Sequence, residues 1–396
     1  MLVYWIWLAE HPELTPQQKH YLAKHFSDPE ELYFGEIPLH LDPKIQKALE
    51  NKDLTEAKNI LRKCAQKQID ILVLQDQEYP NRLRNIPDPP LVLYYRGTLP
   101  NFHTRPLIAM VGTRKASPYG ICATRRLATQ ISACGGLVVS GAADGVDAAA
   151  MEGALENDDC VIGVLGCGVD VVYPRSNRRL FQEVLRKGCL ISEYPPESKP
   201  ESWHFPQRNR IISGLADGVV VSEAPLRSGA LITARYALEQ GRDVFAVPGN
   251  IDMPTCAGSN GLLDEGAGIV LSGWSVMREY EALYPETVAN RMEKTLKPEQ
   301  APSLANVAQT TTFDKIGIDN VPKNAYSGKE ISDADLTEEE QKLLSVLGSE
   351  PKHTDNVIAE SGVSTGKALG LLTKLAVKGY VVNHPGRLVS RSKRRK

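Results

Sequence analysis

Residues 219–250, VVVSEAPLRSGALITARYALEQGRDVFAVPGN, read as strand, polar turn, helix and strand in one unbroken phrase. The opening VVVS is a short apolar run suited to a buried parallel strand, and DVFAV at 243–247 is a second. Between them Arg227, Ser228 and Gly229 precede Leu231, Ile232, Ala234, Tyr236, Ala237 and Leu238, apolar positions at helical spacing. The spacing predicts a helix opening near Ser228, a favourable capping residue. Free N–H groups at such a start, with the positive end of the helix dipole, favour a phosphate, and Gly229 lets it come close. The same residues would also suit a capped helix without a ligand, so the decision lies with the rest of the chain.

The pattern recurs along the sequence. LIAMV at 107, LVVS at 137, CVIGVL at 160, CLIS at 189, GVVVS at 218, DVFAV at 243 and GIVLS at 268 are short apolar strands separated by helical stretches. This alternation predicts an α/β fold, a mostly parallel, doubly wound sheet within residues 71–284, with ligands beyond the carboxyl ends of the strands. Residues 1–70 read as a helical module, in which Thr15 and Pro16 open one helix, Asp28 and Pro29 another, and 54–68 has helical spacing. ILVL at 71–74 leads into EYPNRLRNIPDPPLVLYYRG, whose prolines at 80, 87, 89 and 90 argue against a helix and for a segment along a domain edge. Residues 285–335 read as a flexible linker.

Helices at 336–347, 354–361 and 364–378, followed by strands from Tyr380 and Leu388, suggest a winged helix-turn-helix over 336–390, with RSKRRK at 391–396 as a basic tail. The presumed recognition helix offers Lys367, Lys374 and Lys378. Duplex DNA and another protein are both open as its partner.

With 46 Lys plus Arg against 48 Asp plus Glu, the 396-residue chain has a net charge of -2, so a polyanion site has to come from local clustering. Seven cysteines without a C-x-x-C pair and eight dispersed histidines argue against a disulfide framework, a zinc site and metal catalysis. The apolar run at the start is too short for a membrane span and lacks the basic segment of a secretion signal. A cytoplasmic protein without a membrane partner is expected. Neither a complete dinucleotide fingerprint, nor a P-loop, nor a G-x-S-x-G elbow is present, so no cofactor and no enzymatic activity are expected.

The same turn design recurs after five of the strands, with basic residues in four of them. Gly112 and Arg114 follow the first; Ser140 and Gly141 end the second, and Gly145 follows; Tyr173, Arg175 and Asn177 follow the third. Trp203, Phe205, Arg208 and Arg210 follow the fourth, and Arg227, Ser228 and Gly229 the fifth. Strand carboxyl ends share one edge of a parallel sheet, so Arg114, Arg175, Arg208, Arg210 and Arg227 are expected to line one groove. Arginine pairs with phosphate in bidentate fashion, and interleaved aromatic rings suit single-stranded nucleic acid.

Assembled in order, VGTR, SGAADGVD, YPRSN, SEYPP, FPQRNRIISGLAD, EAPLRSGALITARYALEQGRDVFAVPG and GSNGLLDEGA resemble the DNA-processing protein A family, also called DprA or Smf. The flanks are similar to a sterile-alpha-motif-like domain and a winged helix. The resemblance implies an extended Rossmann-like domain that forms a homodimer and binds single-stranded DNA. It also implies loading of the RecA recombinase and displacement of single-strand-binding protein during natural transformation. By position, Arg114 and Arg175 match the family's phosphate-contacting residues; Asn177, Phe205, Arg208 and Ser228 extend the site by turn geometry.

Two alternatives come from other classes. One is a phosphoribohydrolase of the LOG-like superfamily, but Arg235 and Tyr236 follow Thr233 and no acid appears until Glu239, which favours binding over hydrolysis. The other is a winged-helix transcription regulator.

Overall fold

The computed structural model describes residues 1–288 other than 27 and 39, residue 291, and residues 336–391 other than 349, 351, 378, 379 and 385–387. The chain divides into two units, Met1–Ala301 and Pro302–Lys396.

Five helices open the first unit: α1 (Leu2–Ala9), α2 (Pro16–His25), α3 (Pro29–Phe34), α4 (Pro43–Leu49) and α5 (Thr55–Lys67). Helices α2, α3 and α4 each begin with a proline preceded by a capping side chain, Thr15, Asp28 or Asp42, that accepts from an N–H of the first turn. The apolar start of the chain forms α1, with Trp5, Ile6, Trp7 and Leu8 buried. They share a core with Leu22, Leu49 and Ile60, and Val73, Val92 and Tyr94 complete it. Those last three belong to the sheet, so the helical module packs on the sheet's flank.

The sheet region follows as β1 (Asp70–Val73), α6 (Asn81–Arg84), β2 (Val92–Gly97), β3 (Leu107–Val111), α7 (Pro118–Ala133), β4 (Leu137–Ser140), α8 (Val146–Leu155) and β5 (Val161–Val164). It continues with α9 (Arg178–Lys187), β6 (Cys189–Ser192), α10 (His204–Leu215), β7 (Gly218–Val221), α11 (Gly229–Glu239), β8 (Asp243–Ala246), α12 (Ala257–Asp264), β9 (Gly268–Ile269) and α13 (Gly273–Met277). The strand order is β1-β2-β6-β5-β4-β3-β7-β8-β9. From β6 to β9 all neighbours are parallel, whereas β2 runs antiparallel to β6 and β1 to β2.

The sheet is therefore mixed but mostly parallel. The proline-rich segment departs from expectation, because it supplies an inner strand, β2, and a one-turn helix. Pro80 precedes that turn and Pro87 follows it, so neither ring interrupts its hydrogen bonds.

From β3 the chain winds through β4 and β5 to β6, then returns to the other side of β3 with β7, β8 and β9. Alternate strand residues feed two cores. Ile108, Met110, Val138, Leu190 and Val220 meet α7, α8, α9 and α13 on one face. Leu107, Ala109, Val111, Val139, Val219 and Val221 meet α10 and α11 on the other. Burial of both faces is why these strands read as continuous apolar runs. The direction of winding reverses between β3 and β7, which leaves a crevice at their carboxyl ends.

Residues 285–288 are helical and Val288 is buried in the first of these cores, so the segment read as a linker begins in ordered structure. Apart from 291, the rest of that segment lies outside the described residues, as do 392–396 of the basic tail.

The second unit holds α14 (Glu338–Val346), β10 (Lys352–His353), α15 (Thr354–Ser361), α16 (Thr365–Val377), β11 (Val381–His384) and β12 (Leu388–Arg391). The strands form an antiparallel sheet in the order β10-β12-β11. Leu343, Val357, Leu372, Leu375 and Val389 lie in its core. The three helices and the strand pair match expectation, and β10 is an addition to it. Lys367 pairs with Glu339 at 3.3 Å with both side chains largely in water, and Lys374 with the buried Glu340 at 3.1 Å, so of these two lysines of α16 it is Lys374 that meets a buried acid of α14. Lys378 lies outside the described residues.

Candidate nucleic-acid interface

The loops beyond the strand ends are bound to one another before any ligand is considered. After β3, Thr113 donates its N–H to the carbonyl of Glu223 after β7 at 2.7 Å, and Val146 donates to the carbonyl of Thr113 at 3.2 Å. Asn177 donates from Nδ2 to the carbonyls of Ala142 and Ala143, both at 3.2 Å. Asn209 donates to the carbonyl of Gly229 at 3.2 Å, which joins α10 to the start of α11. Four turns are thereby locked into one floor.

A cleft of about 480 Å³ opens over that floor at the β3–β7 reversal. Gly112, Thr113 and Arg114 form one lip; Arg227, Ser228 and Gly229 form the other; Tyr173 and Phe205 line it between them. Ser228 caps α11 as expected, accepting from the N–H of Ala230 at 3.2 Å. A Cβ built at Gly229 meets nothing within 4 Å, so the space in front of this helix start is open. The guanidinium of Arg114 lies 5.0 Å from the centre of the Phe205 ring, and the rings of Tyr173 and Phe205 are 5.5 Å apart at 31°. Arg114, Arg175 and Arg227 are exposed, and no acid among the described residues lies within ion-pair distance of them. Arg175 opens the short 3-10 turn 175–177, beside a smaller cleft that Tyr173, Pro174 and Arg114 share.

Several residues read as groove-facing are used elsewhere. Ser140 is fully buried and donates to the carbonyl of Met110 at 2.8 Å, tying β4 to β3. At Gly141 the close neighbour is protein: a Cβ there would stand 2.6 Å from a carboxylate oxygen of Asp147 and 2.7 Å from the Arg208 guanidinium. Gly145, at φ +78°, admits the carbonyls of Thr113 and Arg114 in the same way. Asn177 spends its amide on the floor.

Arg208 is buried, donating to the carbonyls of Gly141 (2.8 Å) and Val164 and to Asn209 Oδ1 (3.3 Å), so it forms the back wall of the cleft. Arg210 points into a different cleft, where its two terminal nitrogens each donate to Glu193 at 2.7 Å and Nε donates to Asp88 at 3.0 Å. The five-arginine edge thus resolves into three exposed cations and two structural ones.

The sequence reading left out Asp147. It lines the cleft, is buried, and accepts from the N–H of Ala143 at 3.4 Å. Burial pushes its carboxyl up while Arg208 opposes that rise; burial pushes Arg208 down while Asp147 supports its charge. Glu223 was also missed, although the acid directly after a strand end was visible in VVVSEA. Its carboxylate accepts from Ser117 at the start of α7, so the first helix start beyond β3 is already filled by an anion of the protein. Among the described residues no group of three or more His, Cys, Asp or Glu could hold a metal ion, and no helix is long and apolar enough to cross a membrane.

Residues 70–281 carry the sequence pattern of DNA recombination-mediator protein A, and residues 329–387 that of the DprA winged helix domain. The chain belongs to the DNA recombination-mediator protein A family. It is 32% identical over 394 residues to Protein Smf of Synechocystis sp. (strain ATCC 27184 / PCC 6803 / Kazusa), covering 97% of each chain. With DNA processing protein DprA of Bacillus subtilis (strain 168) the identity is 40% over 211 residues, 53% of this chain and 71% of the relative. The X-ray structure of DprA from Streptococcus pneumoniae superposes with a TM-score of 0.62 at 34% identity, covering 70% of this chain and 98% of that one. DprA from Helicobacter pylori, whose structure is described as showing a unique single-stranded DNA binding mode, gives a TM-score of 0.50 at 31% identity over 55% of this chain and 97% of that one. This family member therefore shares its architecture, over 70% and 55% of the chain, with these two solved relatives.

Proposed function

We propose that this protein binds single-stranded DNA in the cleft at the β3–β7 reversal. Phosphates lie against Arg114, Arg227 and the open start of α11, Arg175 extends the basic side, and bases stack on Phe205 and Tyr173. The observation that carries this reading is the pairing of exposed arginines, free of acidic partners among the described residues, with an open helix start across a cleft lined by aromatic rings. Such a site tracks a charged backbone and accepts any base, because every base has a stacking face.

Membership of the family supports a wider role, which we propose with it: an extended Rossmann-like domain acting as a homodimer in the cytoplasm, displacing single-strand-binding protein and loading the RecA recombinase during transformation. The phosphoribohydrolase alternative finds little support, since the one carboxylate lining the cleft, Asp147, is held by Ala143 and faces Arg208.

The test is binding of a fluorescent oligonucleotide, single-stranded against duplex, across a salt series. Neutralising about three phosphates gives a slope of log affinity against log salt near about -2. Single-strand preference with that slope, lost when Arg114 and Arg227 are both replaced by alanine, supports the site. Undiminished binding by that double variant overturns it. The wider role is tested by recombinase filament formation on DNA pre-coated with single-strand-binding protein, with and without this chain.

A further inference from the structure

We propose that the bound strand continues out of the cleft along the exposed side of α11, where Arg235 holds a further phosphate. This rests on the single-stranded DNA reading of the cleft and deepens it by assigning the strand's path.

A second groove, of about 430 Å³, shares the lip Arg227, Ser228 and Gly229 with the cleft and runs on past Leu231 and Ile232 to Arg235. The two depressions are one surface divided by the helix start. Ser228, Ile232 and Arg235 follow one another at i, i+4 and i+7, so they share a face of α11. The rise from Ser228 to Arg235 is about 10 Å. An anion anchored at the helix start and another at Arg235 are thus separated along one helical face.

The groove's chemistry suits a single strand. No acid lines it, and arginines stand at both ends. Arg235 is 70% exposed and its one ion pair among the described residues is with Glu239, at 3.9 Å with both groups in water, a pair weak enough to be exchanged for a phosphate. Leu226 is 71% exposed although it packs in neither core, and with the half-buried Leu231 and Ile232 it gives unpaired bases an apolar surface. A duplex, with its bases stacked inside, has no use for that surface.

The full chain, Arg235→Ala and Arg235→Lys are titrated with labelled oligothymidines of about 6 and about 16 nucleotides, the lower part and the top of the site sizes typical of single-strand binders. Arg235→Ala is expected to bind the longer strand about three- to tenfold more weakly, with a salt slope smaller in magnitude by about 0.7. It should bind the shorter strand within about twofold of wild type. Arg235→Lys should retain most of the long-strand affinity, because a phosphate contact needs the charge. Unchanged long-strand affinity and slope overturn the proposal, as does an equal loss on both lengths. The cleft itself is tested separately by Arg114→Ala, which should weaken both lengths. If Arg114→Ala leaves both unaffected, the cleft reading fails whatever Arg235 does.

Discussion

The carboxylate of Glu223 accepts from the backbone N–H of Ser117 at 3.1 Å and from its hydroxyl at 2.8 Å. A residue at the end of β7 therefore occupies the start of α7, beyond β3. Helix starts attract anions, and here the first is supplied with one by the fold while the start of α11 is left open. This distinguishes the cleft from a dinucleotide site, which uses the first helix start for the pyrophosphate.

Removing that carboxylate should expose the difference. Glu223→Ala leaves Ser117 without its partner, and a loss of about 1–3 kcal/mol is expected from denaturant melts. Sulfate should then stabilise the variant more than wild type, since the start of α7 becomes available to it. An equal sulfate response in both proteins counts against this account.

The two classes of arginine should separate in a paired measurement of stability and binding. Arg210→Ala strips Glu193 of a bidentate partner in a little-exposed pair and is expected to cost about 3–5 kcal/mol of stability. Arg114→Ala is expected to leave the melting midpoint nearly unchanged and to reduce the magnitude of the salt slope by about 0.7. The assignments fail if Arg210→Ala melts like wild type or if Arg114→Ala binds like it.

Two glycines offer a sharper contrast. Gly145 has φ +78° and a Cβ there would lie 2.4 Å from the carbonyl oxygen of Thr113, so Gly145→Ala should destabilise by more than about 1 kcal/mol and disturb the Arg114 turn. Gly229 has open space and no such backbone angle, so Gly229→Ala should fold with equal or higher stability. Its methyl group would stand where a phosphate approaches, and oligonucleotide affinity is expected to fall. Thermal melts and binding titrations on both variants check the pair.

Glu10 predicts a pH response. Burial pushes its carboxyl from the ordinary 4.5 up to about 7; Lys19 opposes the rise, and Glu193 and Glu56 add to it. Between those values the folded chain keeps a proton that the unfolded chain has released, so its contribution to stability is present below about 4.5 and is lost as pH rises through about 7. Glu10→Gln should raise the melting midpoint at pH 8 relative to wild type and close that gap at low pH. A difference independent of pH would assign the effect to something other than this proton.

Much of the architecture was legible because it depends on local pattern. Continuous apolar runs marked β3 to β8, since a strand buried on both faces has no polar side to show. Ser228 marked the start of α11, and Thr15 with Pro16 and Asp28 with Pro29 marked α2 and α3, because caps act within one turn. The strand β2 escaped notice because the prolines before it dominate the segment, while its partner β6 lies about a hundred residues away in sequence. The openness of the site was harder to read, since an arginine has the same letter whether a carboxylate holds it or water surrounds it.

The sequence by itself determined where the candidate site lies: the turns after the parallel strands, with their arginines, aromatic rings and capped helix. Periodicity and capping are properties of neighbours in the chain, so they survive in one dimension. The tertiary structure alone decided which of those residues are free. It buried Arg208 behind Gly141, engaged Arg210 with Glu193 and filled the start of α7 with Glu223, leaving Arg114, Arg175 and Arg227 without acidic partners among the described residues. Each of those pairings joins residues 17 to 106 positions apart, and a charge is spent or available only according to what the fold brings beside it.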